Sequence, residues 1–121
     1  MRSKWITHHD KRIFYQDFSG HYLTDIDALK EELTAVQAAV TQEPKGSVLV
    51  LADFRNTQIG RGLMDQLVSS SKLTKDYVRK TAVLGVVGPK RVLVDMLVRL
   101  TGQHLTLFDD PEIAKDWLIK E

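Results

Sequence analysis

The four histidines are the side chains that most directly suggest metal binding or acid–base chemistry in this chain. His8 and His9 are neighbours on a predicted strand, and successive side chains of a strand point to opposite faces, so we do not expect them to hold one ion together. His21 and His104 lie in predicted loops, before the first helix and before the last strand. The sequence therefore predicts no metal site and no cofactor.

Asp53 is the carboxylate whose position most resembles that of a phosphoacceptor. It follows a strongly apolar segment that is a predicted strand. Ligands of open α/β sheets bind outside the carboxyl ends of such strands. Phosphotransfer of that kind needs a magnesium-binding acidic cluster and a lysine after the last strand. Asp17 alone does not form the cluster, and the last strand leads into Asp109 and Asp110 without a lysine. We therefore expect Asp53 to accept backbone hydrogen bonds in a turn.

Residues 85–91 combine a glycine turn, a predicted helix start and two cations, a pattern that can receive an anion on free backbone amides. The segment lacks the spacing of a Walker loop and of a dinucleotide fingerprint, and we interpret Gly85 as a residue that permits close helix packing. A site in the strand-end loops would have as its candidate residues Asp53, Arg55, Thr57, Lys90 and Arg91.

These residues are positioned by an alternation of strands and helices. Two β-rich runs, Trp5 to His9 and Arg12 to Phe18, predict an antiparallel hairpin. Apolar residues three and four apart predict a helix that lies on a sheet, with the stripe Ile26, Leu29, Leu33, Val36 and Val40. The later predicted elements are a central strand at Ser47 to Ala52, a helix from about Gly62 that loses definition at Ser69-Ser70-Ser71, a strand at Thr81 to Val87, a helix from Gly88-Pro89 to Gly102, a strand at Leu105 to Phe108 and a helix capped by Asp109 or Asp110.

The predicted order is β-β-α-β-α-β-α-β-α, which implies an α/β fold: an N-terminal hairpin, then alternating units that form a mostly parallel sheet of about five strands with four helices. With 121 residues, 43% hydrophobic and 27% charged, the chain fits one domain over residues 1–121. A net charge of +1 provides no strong attraction to a polyanion, so nucleic acid is not an expected partner. Cysteine is absent, there is no apolar N-terminal signal, and no apolar run is long enough to span a bilayer; we expect a cytoplasmic protein.

Residues 12–20, Arg-Ile-Phe-Tyr-Gln-Asp-Phe-Ser-Gly, resemble the second-strand signature of the SpoIIAA-like family of STAS/SEC14-type bacterial proteins. Residues 82–88, with Lys90-Arg91 and residues 99–102, resemble the family's fourth strand and third helix, and residues 107–109 with Trp117-Leu118 resemble its ending. The resemblance runs from about Trp5 to Leu118. It implies a STAS-type fold related to anti-anti-sigma factors, which dock onto a kinase-like partner and are switched by phosphorylation of a serine.

The chain departs from that family at the phosphoacceptor. It has Ile59-Gly60-Arg61-Gly62 where the anti-anti-sigma factors carry an Asp-Ser type motif, so the resemblance does not extend to the serine switch. We interpret Thr57, which lies nearby, as a turn or capping residue. Since Ser69-Ser70-Ser71 also forms no Gly-x-Ser-x-Gly elbow, we do not expect an enzyme.

The third predicted helix has an unusual composition. It carries enough apolar residues for nearly its whole circumference, and its polar strip consists of Arg91, Asp95 and Arg99. A helix on a sheet needs one apolar face, so the surplus indicates burial under a neighbouring helix, a dimer interface, an apolar cavity under a movable helix, or contact with lipid. The candidate interface or ligand-facing residues are Val92, Val94, Met96, Leu97 and Val98.

These observations predict a noncatalytic, STAS-like regulatory or protein-interaction module. It would bind a protein partner, or a second copy of itself in a homodimer, through the third helix and the strand-end loops. The alternative is a domain that binds an apolar, lipid-like small molecule or a membrane surface, with the third helix as a lid. The SEC14-type label of the family also suggests that alternative.

Overall fold

A computed structural model describes residues 2–20, 26–57, 61–86, 90–102 and 105–120. Within them the chain forms strands and helices in the predicted order. The elements are β1 (Lys4–His8), β2 (Lys11–Asp17), α1 (Ile26–Thr41), β3 (Val48–Asp53), α2 (Arg61–Thr74), β4 (Val78–Leu84), α3 (Lys90–Thr101), β5 (Leu105–Phe108) and α4 (Pro111–Ile119).

The strands form one five-stranded sheet in the order β1-β2-β3-β4-β5. Only β1 and β2 pair antiparallel, and the other neighbours are parallel. All residues of β3 are buried, as the two-sided apolar run predicts for a central strand. The α/β fold, the hairpin and the mostly parallel sheet are therefore confirmed.

One face of the sheet carries the larger core, which α1, α2 and α3 cover. The predicted stripe of α1 lies inside it, since Leu29, Leu33, Val36 and Val40 are all buried; the side chain of Ile26 lies outside the described part. Alternate strand residues, such as Phe14 and Val50, face the same core.

The opposite face carries a second core, in which α4 packs Ala114 and Leu118 against the sheet. Helix α4 begins as predicted, because the Asp110 carboxylate accepts hydrogen bonds from the backbone amides of Glu112 (2.8 Å) and Ile113 (3.3 Å), and Pro111 occupies the first turn. In the described part of the chain, no helix combines the length and the apolarity that crossing a bilayer requires.

Several boundaries differ from the predictions. Helix α2 does not lose definition at Ser69-Ser70-Ser71 but continues to Thr74. Ser70 and Thr74 lie one turn apart on its buried side, and the Thr74 hydroxyl donates to the Ser70 carbonyl at 3.2 Å, so these polar groups are accommodated inside the helix. Strand β4 begins at Val78, earlier than predicted, and ends at Leu84 because Gly85 takes a positive φ of 81°.

Candidate functional site

The carboxyl end of β3 holds a fully buried carboxylate, Asp53. Tyr15 on β2 donates its hydroxyl to Oδ2 of Asp53 at 2.6 Å. Arg55 donates from Nε to Oδ1 at 3.0 Å and from Nη2 to Oδ2 at 2.8 Å, and its backbone amide donates to Oδ1 at 3.0 Å. Asp53 therefore accepts the expected backbone hydrogen bond. It also accepts hydrogen bonds from the Arg55 guanidinium and from the Tyr15 hydroxyl.

This network sets the ionisation of its members. Burial by itself raises the pKa of Asp53, but the hydrogen bonds from Arg55 and Tyr15 outweigh it, so the pKa lies below its usual value. Burial, together with the hydrogen bond to Asp53, raises the pKa of Tyr15 to about 12. The hydrogen bond to Asp53 raises the pKa of Arg55. At neutral pH the three groups are an aspartate, a neutral phenol and a guanidinium.

A second carboxylate, Asp17, ends β2 in register with Asp53. It accepts hydrogen bonds from the Ser19 amide at 3.0 Å and the Ser19 hydroxyl at 2.6 Å, and Nη2 of Arg2 lies 3.3 Å from its Oδ1. The topology thus brings two aspartates to neighbouring strand ends, each engaged by an arginine. This geometry is that of two ion-paired turns.

Thr57 lies in the loop that follows Asp53 and is buried. Its hydroxyl donates a short hydrogen bond to the carbonyl of Phe18, and the Gly20 amide donates to the Arg55 carbonyl at 2.9 Å. These bonds tie the loop after β3 to the loop after β2. They agree with the interpretation of Thr57 as a turn residue.

Gly85 permits a close approach, but not the helix packing that the sequence suggested. A Cβ atom built on Gly85 would lie 2.5 Å from the backbone nitrogen of Arg55 and 2.8 Å from the carbonyl carbon of Phe54. The close neighbour is therefore the backbone of the loop after β3. Only a residue without a side chain allows the two strand-end loops to pack this closely.

Two of the four apolar side chains of α3 that the structure describes are exposed. Val94 is buried in the larger core and Val98 is half-buried, whereas Val92 and Met96 are 62% and 46% exposed. Arg91, Asp95 and Arg99 are exposed as well, so the described part of this side carries two apolar residues next to three charges. The side chains of Leu97 and Lys90 lie outside the described part of the chain.

Of the predicted strand-end residues, the structure brings together Asp53, Arg55 and Thr57, and it places Arg91 exposed in the first turn of α3. The sequence did not predict Tyr15 as the partner of Asp53 on the neighbouring strand. No local signal identifies such a residue, because its contact depends on the register between β2 and β3.

The predicted placement of His9 on a strand, with its ring on the opposite face from that of His8, was wrong. His9 is not in a strand; it and Asp10 form the two-residue hairpin turn, with positive φ values of 48° and 66°. The turn rotates His9 out of the strand alternation, so its ring lies against that of His8 with 4.4 Å between the centroids. Asp116 on α4 joins them, with its Oδ1 2.7 Å from Nε2 of His8.

Two concave regions lie elsewhere in the described part of the chain. A groove of about 440 Å³ lies near the start of β2 and the end of α4, and it is lined by Trp5, Arg12, Glu43 and Ile119 among others. Arg12 spans part of this groove, stacked 4.0 Å above the Trp5 ring and 2.8 Å from Glu43. A smaller cavity of about 50 Å³ lies between α2 and the sheet.

Comparison of the chain with protein-family models, with curated proteins and with solved structures finds no match. The fold and the contacts described above define the class of the protein as a small α/β domain with a mostly parallel, five-stranded sheet and four helices. The narrower resemblance to the SpoIIAA-like family, and the STAS fold that it implies, stays a prediction.

Proposed function

We propose that this chain is a noncatalytic, STAS-like interaction module that binds a protein through the exposed side of α3 and the neighbouring strand-end loops. The observation that supports this proposal is the pair Val92 and Met96, which are exposed one helical turn apart. The partner that we propose to test first is a second copy of the chain.

The composition of this side of α3 suits a protein interface. Burial of exposed apolar side chains gains about 25 cal/mol per Å². Met and Arg are enriched at protein interfaces, and charged residues are common at their rims. Arg91, Asp95 and Arg99 flank the apolar pair along one side of the helix, and Arg55 in the loop after β3 keeps about half of its side chain exposed.

The alternative is an apolar ligand or a membrane surface at α3. The cavity between α2 and the sheet, at about 50 Å³, has the volume of a few water molecules rather than of an acyl chain. Ser70, Thr74 and Thr81 line it with hydroxyl groups. A lipid-like ligand under α3 would require this helix to move away from the core that holds Val94.

The test is the oligomeric state of the freshly purified, untagged chain. Native mass spectrometry reports dimers and retained small molecules together, and sedimentation velocity across a hundredfold range of concentration measures the affinity. We expect a concentration-dependent dimer. The double variant Val92→Asp with Met96→Asp should weaken association by about tenfold or more, because two carboxylates would be desolvated at the interface.

The matched control is Leu73→Asp on α2. Leu73 is 61% exposed, like Val92, but lies on another helix, so this variant should dimerise as the natural chain does. Equal loss in both variants would mean a general effect of added charge and would count against an interface on α3. A bare monomer at all concentrations would overturn self-association, and a retained apolar molecule would favour the ligand-binding alternative.

A further inference from the structure

The hairpin turn and α4 together form a cluster of metal-binding side chains away from α3. His8, His9 and Asp116 each offer one ligand atom, and these atoms all lie within 4.8 Å of one another. His8 is anchored at the end of β1, with its side chain only 12% exposed, whereas that of Asp116 is 58% exposed on α4. One ligand is therefore held in place and the others are accessible from solvent.

The geometry of the turn creates this cluster. A strand would direct adjacent histidines to opposite faces, but the positive φ of His9 turns its imidazole toward that of His8. The same turn lies beside α4, where Lys11 donates to the Ile119 carbonyl at 3.0 Å. The hairpin and the helix are thus already joined next to the cluster.

The chemistry of the ligand set selects among metals. Two imidazoles and one carboxylate suit zinc and neighbouring transition metals, whereas magnesium and calcium prefer oxygen ligands throughout. Zinc binds nitrogen and carboxylate oxygen at about 2.0–2.2 Å. Small rotations of the exposed His9 and Asp116 side chains would bring all three ligand atoms to one ion.

We propose that His8, His9 and Asp116 bind a divalent transition-metal ion, with zinc as the preferred ion and water in the fourth position. The ion would connect the β1–β2 turn to α4 and stabilise the fold. The site shares no element with the proposed interface on α3, so its test is independent of the proposed function.

The experiment is calorimetric titration of the full, untagged chain with zinc chloride, together with thermal unfolding at increasing zinc concentration. We expect one zinc per chain and a melting temperature that rises with zinc, because an ion that binds the native state stabilises it. Magnesium chloride at the same concentrations should leave the melting temperature unchanged.

The variants His9→Asn and Asp116→Asn should each lower the zinc affinity by roughly tenfold or more. Asparagine tolerates a positive φ, so His9→Asn removes the imidazole while it keeps the turn. The control is Glu112→Gln, an exposed carboxylate one turn earlier on α4, which should bind zinc as the natural chain does.

Two results would overturn the proposal. The first is a natural chain that takes up no zinc. The second is zinc binding that His9→Asn and Asp116→Asn leave unchanged, since the ion would then be held by other residues.

Discussion

The buried carboxylate of Asp53 joins the end of β3 to β2 and to the loop after β3. An ionised carboxylate without partners is too costly to bury, and here Arg55, Tyr15 and a backbone amide compensate for the lost hydration. The partners come from β2 and from the loop after β3. Loss of the charge would leave the guanidinium and the phenol with a poorer acceptor.

We predict that Asp53→Asn lowers the free energy of unfolding at neutral pH by about 2 kcal/mol, because charge-assisted hydrogen bonds to a buried group are lost. Urea unfolding followed by circular dichroism measures this difference. The control is Asp95→Asn, which removes an exposed carboxylate from α3 and should cost less than about 0.5 kcal/mol. Equal costs for the two variants would contradict the role of Asp53.

The natural chain and Asp53→Asn should also differ in how their free energy of unfolding depends on pH. The pKa of Asp53 is lowered in the folded state, so its contribution is fully present above the unfolded-state value of 3.8 and is lost as the pH falls from there through the lower folded value. The gap in unfolding free energy between the natural chain and Asp53→Asn should therefore shrink between pH 5 and pH 2. A constant gap would show that the pKa is not lowered.

At the scale of elements, the end of β4 determines how closely two loops pack. Gly85 ends the strand with a positive φ and lies against the backbone of Arg55 in the loop after β3. The amide of Phe54 also donates to the Leu84 carbonyl at 2.9 Å, so the two strand ends are joined directly. A side chain at position 85 would force them apart.

We predict that Gly85→Ala destabilises the fold by clearly more than Gly46→Ala. Both glycines have positive φ, 81° and 72°, so both variants carry the backbone penalty of roughly 1 kcal/mol. Only at Gly85 would the new Cβ meet another backbone, since nothing lies within 4 Å of the equivalent atom at Gly46. Thermal unfolding of both variants gives the comparison, and equal losses would exclude the close approach.

At the scale of the molecule, one sheet supports two cores. The larger core lies under α1, α2 and α3, and the smaller lies under α4. Each tryptophan reports on one of them, because Trp5 packs against the larger core and Trp117 against the smaller. Since every strand contributes backbone hydrogen bonds to the same sheet, loss of one core should remove the support of the other.

We therefore predict a single cooperative transition. In the variants Trp5→Phe and Trp117→Phe, the fluorescence of the remaining tryptophan should change at the same urea concentration as the circular dichroism of that variant. Leu118→Ala, in the smaller core, should lower the midpoint by an amount that corresponds to about 2–5 kcal/mol and should shift both signals together. A fluorescence change of Trp117 that precedes the loss of secondary structure would show that α4 unfolds by itself.

The sequence alone determined the order and type of the elements. The stripe of α1, the two-sided apolar run of β3 and the Asp110-Pro111 start of α4 are patterns within a few residues, and local geometry is sufficient to interpret them. The boundaries of α2 and β4 were less accurate, because the burial of Ser70 and the positive φ of Gly85 depend on what packs beside them.

Only the tertiary structure decided which distant side chains meet. Tyr15 and Asp53 are 38 positions apart, and His8 and Asp116 are 108 apart; both contacts depend on strand register and helix placement. Val94 is buried and Val92 is exposed because α3 packs against α2 and the larger core with one side only. Periodicity shows that a helix has surplus apolar residues, but neighbours at long range determine which of them reach solvent.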